Sequence, residues 1–111
     1  MISRKELEDL EIGKTIWYSE IKFGPVGGLS YNVFAKLEKI NIKYFKVIFV
    51  EQGDSFRTGN LIFTTQLYPP SVFNTREEGL DHWNSIVYNT IDKLTHEYEN
   101  RIRRVKKKLI T

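Results

Sequence analysis

The chain has no cysteine, only three prolines and one methionine, and no apolar run near the roughly 20 residues of a membrane-spanning helix. Each shortage removes a class of protein. Without cysteine there is no disulfide framework, no cysteine-ligated zinc site and no thiol nucleophile, and the absence fits a reducing compartment. Three prolines and seven glycines in 111 residues are too sparse for a disordered or collagen-like chain. The charged opening Met1-Ile2-Ser3-Arg4-Lys5-Glu6 lacks the apolar stretch of a signal peptide. A soluble, cytoplasmic protein with no membrane partner is therefore expected.

What the chain does have is apolar bulk. Its seven Phe, six Tyr and two Trp, within 41% hydrophobic residues, can fill the core of one domain spanning 1–111. Charge is unevenly placed. Residues 101–108 read Arg-Ile-Arg-Arg-Val-Lys-Lys-Lys, six cations and no acid, which leaves eleven Lys and Arg against all fourteen Asp and Glu elsewhere. The net +3 is thus an acidic body at −3 joined to a basic end at +6.

Local signals place the elements. Ser3 and Glu6 have capping-box spacing, and Leu7 and Leu10 share a face, which predicts a short helix from Ser3 to Leu10. After Gly13, Lys14-Thr15-Ile16-Trp17-Tyr18 has the β-branched and aromatic make-up of a strand. Phe23-Gly24-Pro25-Val26-Gly27-Gly28 reads as a loop, and it lacks the Lys-Ser/Thr ending of a phosphate-binding loop. Tyr31 to Ile40 and Lys43 to Glu51 form a hairpin about Asn41-Ile42. Alternation puts Val33, Ala35 and Leu37 on one face of it with Phe45, Val47 and Phe49. The other face carries Phe34 on the first strand, and Tyr44, Ile48 and Val50 on the second, so something should cover it. Gln52-Gly53-Asp54-Ser55 is a turn, Phe56-Arg57-Thr58 and Leu61 to Thr65 supply one or two short strands, and Pro69-Pro70 ends the sheet.

The strongest signal follows. Thr75 with Glu78 three residues on is a helix N-cap, and apolar residues then recur at Leu80, Trp83, Val87, Ile91, Leu94, Tyr98, Ile102, Val105 and Leu109. Two successive 11-residue blocks give a period of about 3.67, so the stripe runs nearly straight along the helix. From Thr75 to Ile110 such a helix is about 50 Å long, whereas a compact chain of this size is about 35 Å across. The end carrying the six cations should overhang the body.

The run Leu10-Glu11-Ile12-Gly13-Lys14-Thr15-Ile16-Trp17-Tyr18, the central hairpin and Val72-Phe73-Asn74-Thr75-Arg76-Glu77-Glu78-Gly79-Leu80 together resemble small SH3-like barrel proteins common in phage genomes. Those proteins close with a Phe-x-Thr-x-Glu-Glu-Ala turn into a C-terminal helix; here Gly79 stands in place of the Ala, and the helix is much longer. The resemblance implies an α+β fold: a small SH3-like antiparallel barrel or bent sheet over residues 1–73, then the long amphipathic helix over 75–110. It also implies a phage-type origin, hence a host-cell cytoplasm, and no activity.

Candidate chemistry is thin. His82 and His96 lie about 21 Å apart on a helix and cannot share a metal, and the expectation for both is a solvated helix face. No nucleophile, base and oxyanion donor converge, so no catalytic residue, metal or cofactor is expected. Binding is the remaining class. Tyr98, Arg101, Ile102, Arg103, Arg104, Val105, Lys106, Lys107, Lys108 and Leu109 form the candidate partner surface, directed at a host protein, at a second copy in a homodimer, or at nucleic-acid phosphates. In an SH3-like barrel Trp17, Phe23 and Tyr31 would border a ligand groove; the competing reading places Trp17 in the core.

Overall fold

The computed structural model describes residues 2–25, 27–53 and 56–109. The expected turn at 52–55 and the expected helix end at Ile110 fall partly outside them. The chain runs α1 (Arg4–Glu8), β1 (Thr15–Phe23), β2 (Leu29–Lys39), β3 (Tyr44–Gln52), β4 (Leu61–Phe63), β5 (Val72–Phe73) and α2 (Arg76–Lys106). The strands form one antiparallel sheet ordered β4-β3-β2-β1-β5. It is an open, α+β arrangement: among the described residues β4 and β5 do not pair, so the bent-sheet form of the expected fold holds and the barrel does not close.

Local chemistry starts the elements where the sequence places them. Ser3 Oγ accepts the Glu6 N–H at 3.1 Å and caps α1, whose Leu7 is fully buried. Asn41 Oδ1 accepts the N–H groups of Lys43 and Tyr44, each at 2.9 Å, and so closes the β2–β3 connection. Two further features are not visible in the sequence. Lys39 is buried with its ammonium donating to the carbonyls of Leu7 and Glu8, where the end of α1 concentrates negative partial charge. Arg4 donates to the Thr64 carbonyl at 2.6 Å, tying α1 to the turn after β4.

One face of the sheet makes the core. Ile16 and Tyr18 of β1, Val33, Ala35 and Leu37 of β2, and Phe45 and Val47 of β3 pack with Leu7, Ile62, Leu67 and Val72. Phe49 was expected with them and is instead half-exposed on the opposite face, 6.3 Å from the Trp17 ring. The cause is a bulge. Lys36 pairs with Phe49 but Leu37 pairs with Val47, so Ile48 is an extra residue and the alternation beyond it inverts. Val50 accordingly joins the core face opposite Ala35.

Two other expectations change. Phe56-Arg57-Thr58 is not a strand; the Phe56 ring stacks on Tyr18 at 5.6 Å and seals the core edge. The prolines do not end the sheet. Pro69–Ser71 is a single 3₁₀ turn that returns the chain to β1, where Trp17 pairs with Phe73 and Tyr18 with Val72.

The second face is covered by the start of α2, as its apolar residues required. Thr75 Oγ1 accepts the Glu78 N–H at 3.2 Å and caps the helix. Gly79 is the one buried residue of α2, and a Cβ there would sit 3.0 Å from the Phe34 ring and 3.6 Å from the Cβ atoms of Trp17 and Ser19. The missing side chain is what lets the backbone of α2 lie against β1 and β2, at a helix-propensity cost of about 1 kcal/mol. Trp83 then stacks on Phe34 with ring centroids 5.8 Å apart.

Candidate functional site

The distal half of α2 is the candidate site, and its geometry follows from where the body stops. Arg76 grips Glu51 of β3 through a two-pronged ion pair, with Nη2 to Oε2 at 3.0 Å, which anchors the first turn across the sheet. This pairing raises the Arg76 pKa further above its ordinary value. Contact with the body continues through Trp83 and Ile86 to Leu94, whose Cδ1 lies 2.7 Å from where a Cβ on Gly27 would be. Beyond Leu94 every described helix residue is exposed except Glu97, which is partly sheltered and with Phe23 and Gly24 borders the gap between helix and loop.

The helix continues unbroken to Lys106, so about 18 Å of it stands clear of the body. The molecule measures 71 × 24 × 22 Å with a radius of gyration of 18.8 Å, against about 13 Å for a compact chain of this length. The overhang carries the six cations, as expected, and it begins at Thr95, ahead of the basic run, because only the first half of α2 finds sheet beneath it.

All ten residues of the candidate partner surface lie on this segment or just past it, and all are exposed. Tyr98 is 66% exposed, Val105 70% and Leu109 75%, so these apolar side chains face water along one stripe. Arg101, Arg103, Arg104, Lys106, Lys107 and Lys108 surround that stripe, and none of them enters an ion pair within 4 Å among the described residues. Favourable interaction with the C-terminal end of the helix accounts for the cations of the last turn only.

The three candidate groove aromatics are not brought together. Trp17 lies on the α2 face, 5.2 Å from Phe34 and beneath Gly79. Phe23 ends the same strand beside the Gly27 loop. Tyr31 lies on the other face, packed against the core and bordering a concavity with Phe56 and Leu61. A shared aromatic groove would need Trp17 and Tyr31 on one face, and strand parity forbids it, since Tyr31 pairs with Lys22, an odd number of residues from Trp17.

Titratable groups within the body have structural explanations. The buried Tyr18 hydroxyl donates to the Glu20 carboxylate and accepts the Tyr68 N–H at 3.0 Å; burial and the Glu20 bond both push its pKa far up. Burial also raises the Tyr31 pKa, with the Glu20 charge adding to it. His82 is not solvated as expected: it packs on the Phe73 ring at 4.9 Å, and burial holds its pKa below the usual value while the Glu20 charge opposes that. His96 is exposed on the overhang. Among the described residues no three His, Asp or Glu side chains are grouped so as to hold a metal ion, and no helix is long and apolar enough to cross a membrane.

No known protein family, curated protein or solved structure matches the chain.

Proposed function

We propose that the protein is a non-catalytic binding protein that engages another protein through the projecting half of α2. The observation that carries this reading is the unpartnered stripe on a rigid, continuous helix: Tyr98, Ile102, Val105 and Leu109 recur at spacings of four, three and four residues, the pattern of a helix that lays its apolar side into a groove. A monomer gains nothing by holding such residues clear of its own core. The resemblance to phage-type barrel proteins supports a narrower form, an accessory inhibitor or adaptor directed at a host defence or transcription protein.

The six cations favour a second reading, a nucleic-acid binder that neutralises phosphates with its tail. The rest of the chain, at −3, opposes it, because a nucleic-acid-facing body is ordinarily basic itself. The substitution Ile102→Glu separates the two, since it interrupts the stripe and leaves every cation in place. Protein capture by the full chain that is lost both in Ile102→Glu and in a chain ended at Asn100 supports the first reading. Salt-sensitive binding of labelled DNA or RNA that survives Ile102→Glu and disappears only with the truncation replaces it with the second.

A further inference from the structure

Past Leu94 the free part of α2 carries a narrow apolar seam. Tyr98, Ile102, Val105 and Leu109 are each at least 36% exposed, and at about 100° per residue they fall within an arc of about 60°. A helix that rests on a broad apolar surface presents an arc of about 100° or more, whereas this strip has the width of a seam between two helices. The six cations divide about it. Arg101 and Lys108 flank one side and Lys106 the other, where Glu99 joins it, while Arg103, Arg104 and Lys107 point away from the seam.

We infer that this seam takes an acidic amphipathic helix of another protein, laid alongside α2 so that its carboxylates meet Arg101, Lys106 and Lys108. This rests on the reading of the distal helix as a protein-docking element and names the chemistry of the element that docks.

Charge selects that occupant. Residues 98–109 hold all six cations of the basic run and a single acid, Glu99. A second copy using the same seam, in either direction, would bring two such segments together, and like charges flanking a helix pair oppose its formation. An acidic helix meets no such opposition. None of the three flanking cations enters an ion pair within 4 Å among the described residues, so each is open to a carboxylate from outside the chain. Phosphates alone would match the charge but leave the four apolar side chains in water. A helix with its own apolar strip and acidic flanks uses both features, and the flanking charges fix which partner is accepted.

Two three-heptad peptides provide the test, one with Leu at the seam positions and Glu at the flanking ones, the other with Lys in place of Glu. In fluorescence anisotropy of the labelled peptides against the full chain, the Glu peptide should bind at least about tenfold more tightly than the Lys peptide. Ile102→Glu should abolish that binding with its helical circular dichroism retained. Arg101→Glu, Lys106→Glu and Lys108→Glu combined should reverse the preference, so that the Lys peptide binds better. Arg103→Glu, Arg104→Glu and Lys107→Glu combined change the net charge by the same amount. They should keep the preference for the Glu peptide at physiological salt, where exposed charges more than about 8 Å apart are largely screened. If the two triple variants behave alike, or if neither peptide binds at millimolar concentration, the inference is overturned. A sedimentation mass of twice 13.1 kDa that returns to 13.1 kDa in Ile102→Glu also overturns it, since the occupant is then a second copy. Protein capture that needs Ile102 but is indifferent to reversal of Arg101, Lys106 and Lys108 sinks the acidic helix while leaving the docking reading intact.

Discussion

The two halves of α2 carry the same apolar spacing and have opposite fates. From Gly79 to Leu94 the helix meets Trp17, Phe34 and the Gly27 loop through Gly79, Trp83 and Leu94, although Ile91 of the stripe is 51% exposed; from Thr95 onward no stripe residue meets a described part of the body. The halves differ in what lies beneath them, not in local helix-forming signal. A hydrophobic repeat specifies which side of a helix wants cover, and the width of the neighbouring sheet, within a body about 24 × 22 Å in section, fixes how much cover it receives. Charge follows the same division. The docked half starts with Glu77 and Glu78 at the positive end of the helix, while the free half ends in six cations.

The contrast can be broken most forcefully at Trp83. Trp83→Ala removes the ring stacked on Phe34 and should lower unfolding stability by about 2–3 kcal/mol, read from the urea midpoint. Val105→Ala, an apolar truncation of the free half, should change the stability of dilute monomer by less than about 0.5 kcal/mol. A Val105 cost close to that of Trp83 in dilute solution would mean that the distal half is covered within the monomer.

Gly79 tests the closeness of docking. Gly79→Leu drives a side chain into Phe34, Trp17 and Ser19 and should cost about 1–3 kcal/mol while exposing the first turns of α2 to amide exchange. Gly79→Ala should cost less, because a gain of about 1 kcal/mol in helix propensity works against the 3.0 Å approach to the Phe34 ring. If Gly79→Leu were as stable as the parent, α2 would not rest on the sheet there.

Acid sharpens the comparison through His82. Its pKa is lowered in the folded protein, so below the unfolded value of about 6.5 the unfolded chain takes up the proton more readily. The stability present at neutral pH should fall as the pH drops through the folded pKa, and His82→Leu should flatten that limb of the pH-stability curve. At the other extreme the raised pKa values of Tyr18 and Tyr31 predict that stability falls as pH climbs past about 10.

The smallest expected change comes from ending the chain at Asn100. The melting temperature of the dilute protein should move by no more than about 2 °C, because the described residues removed, 101–109, are all exposed. The net charge meanwhile reverses from +3 to −3, so the truncated chain should bind an anion exchanger where the full chain binds a cation exchanger. A large fall in melting temperature would show that the tail does lie on the body.

Legibility tracked the range of the interaction. The Ser3 and Thr75 caps, the Asn41 connection and the period of α2 are settled by residues within four positions of one another, and the sequence displays them openly. Phe49 was assigned to the wrong face because one extra residue at Ile48 reverses alternation, and no residue type marks that bulge. Lys39 looks like a surface cation until the end of α1, more than thirty residues earlier, is folded onto it. Trp17, Phe23 and Tyr31 looked like one groove because adjacency in an expected barrel does not say which face of an open sheet each side chain takes.

By itself, then, the sequence determined a capped helix too long for its body, the straight apolar stripe along it and the six cations at its end. Those are properties of spacing and charge along one chain, and they survive any packing. Only the tertiary structure decided that the sheet stays open, that Gly79 rather than a larger residue meets Phe34, and that cover ends near Leu94. Such outcomes depend on distances between segments far apart in sequence, where a single bulge or the breadth of a five-stranded sheet redirects whole faces of side chains.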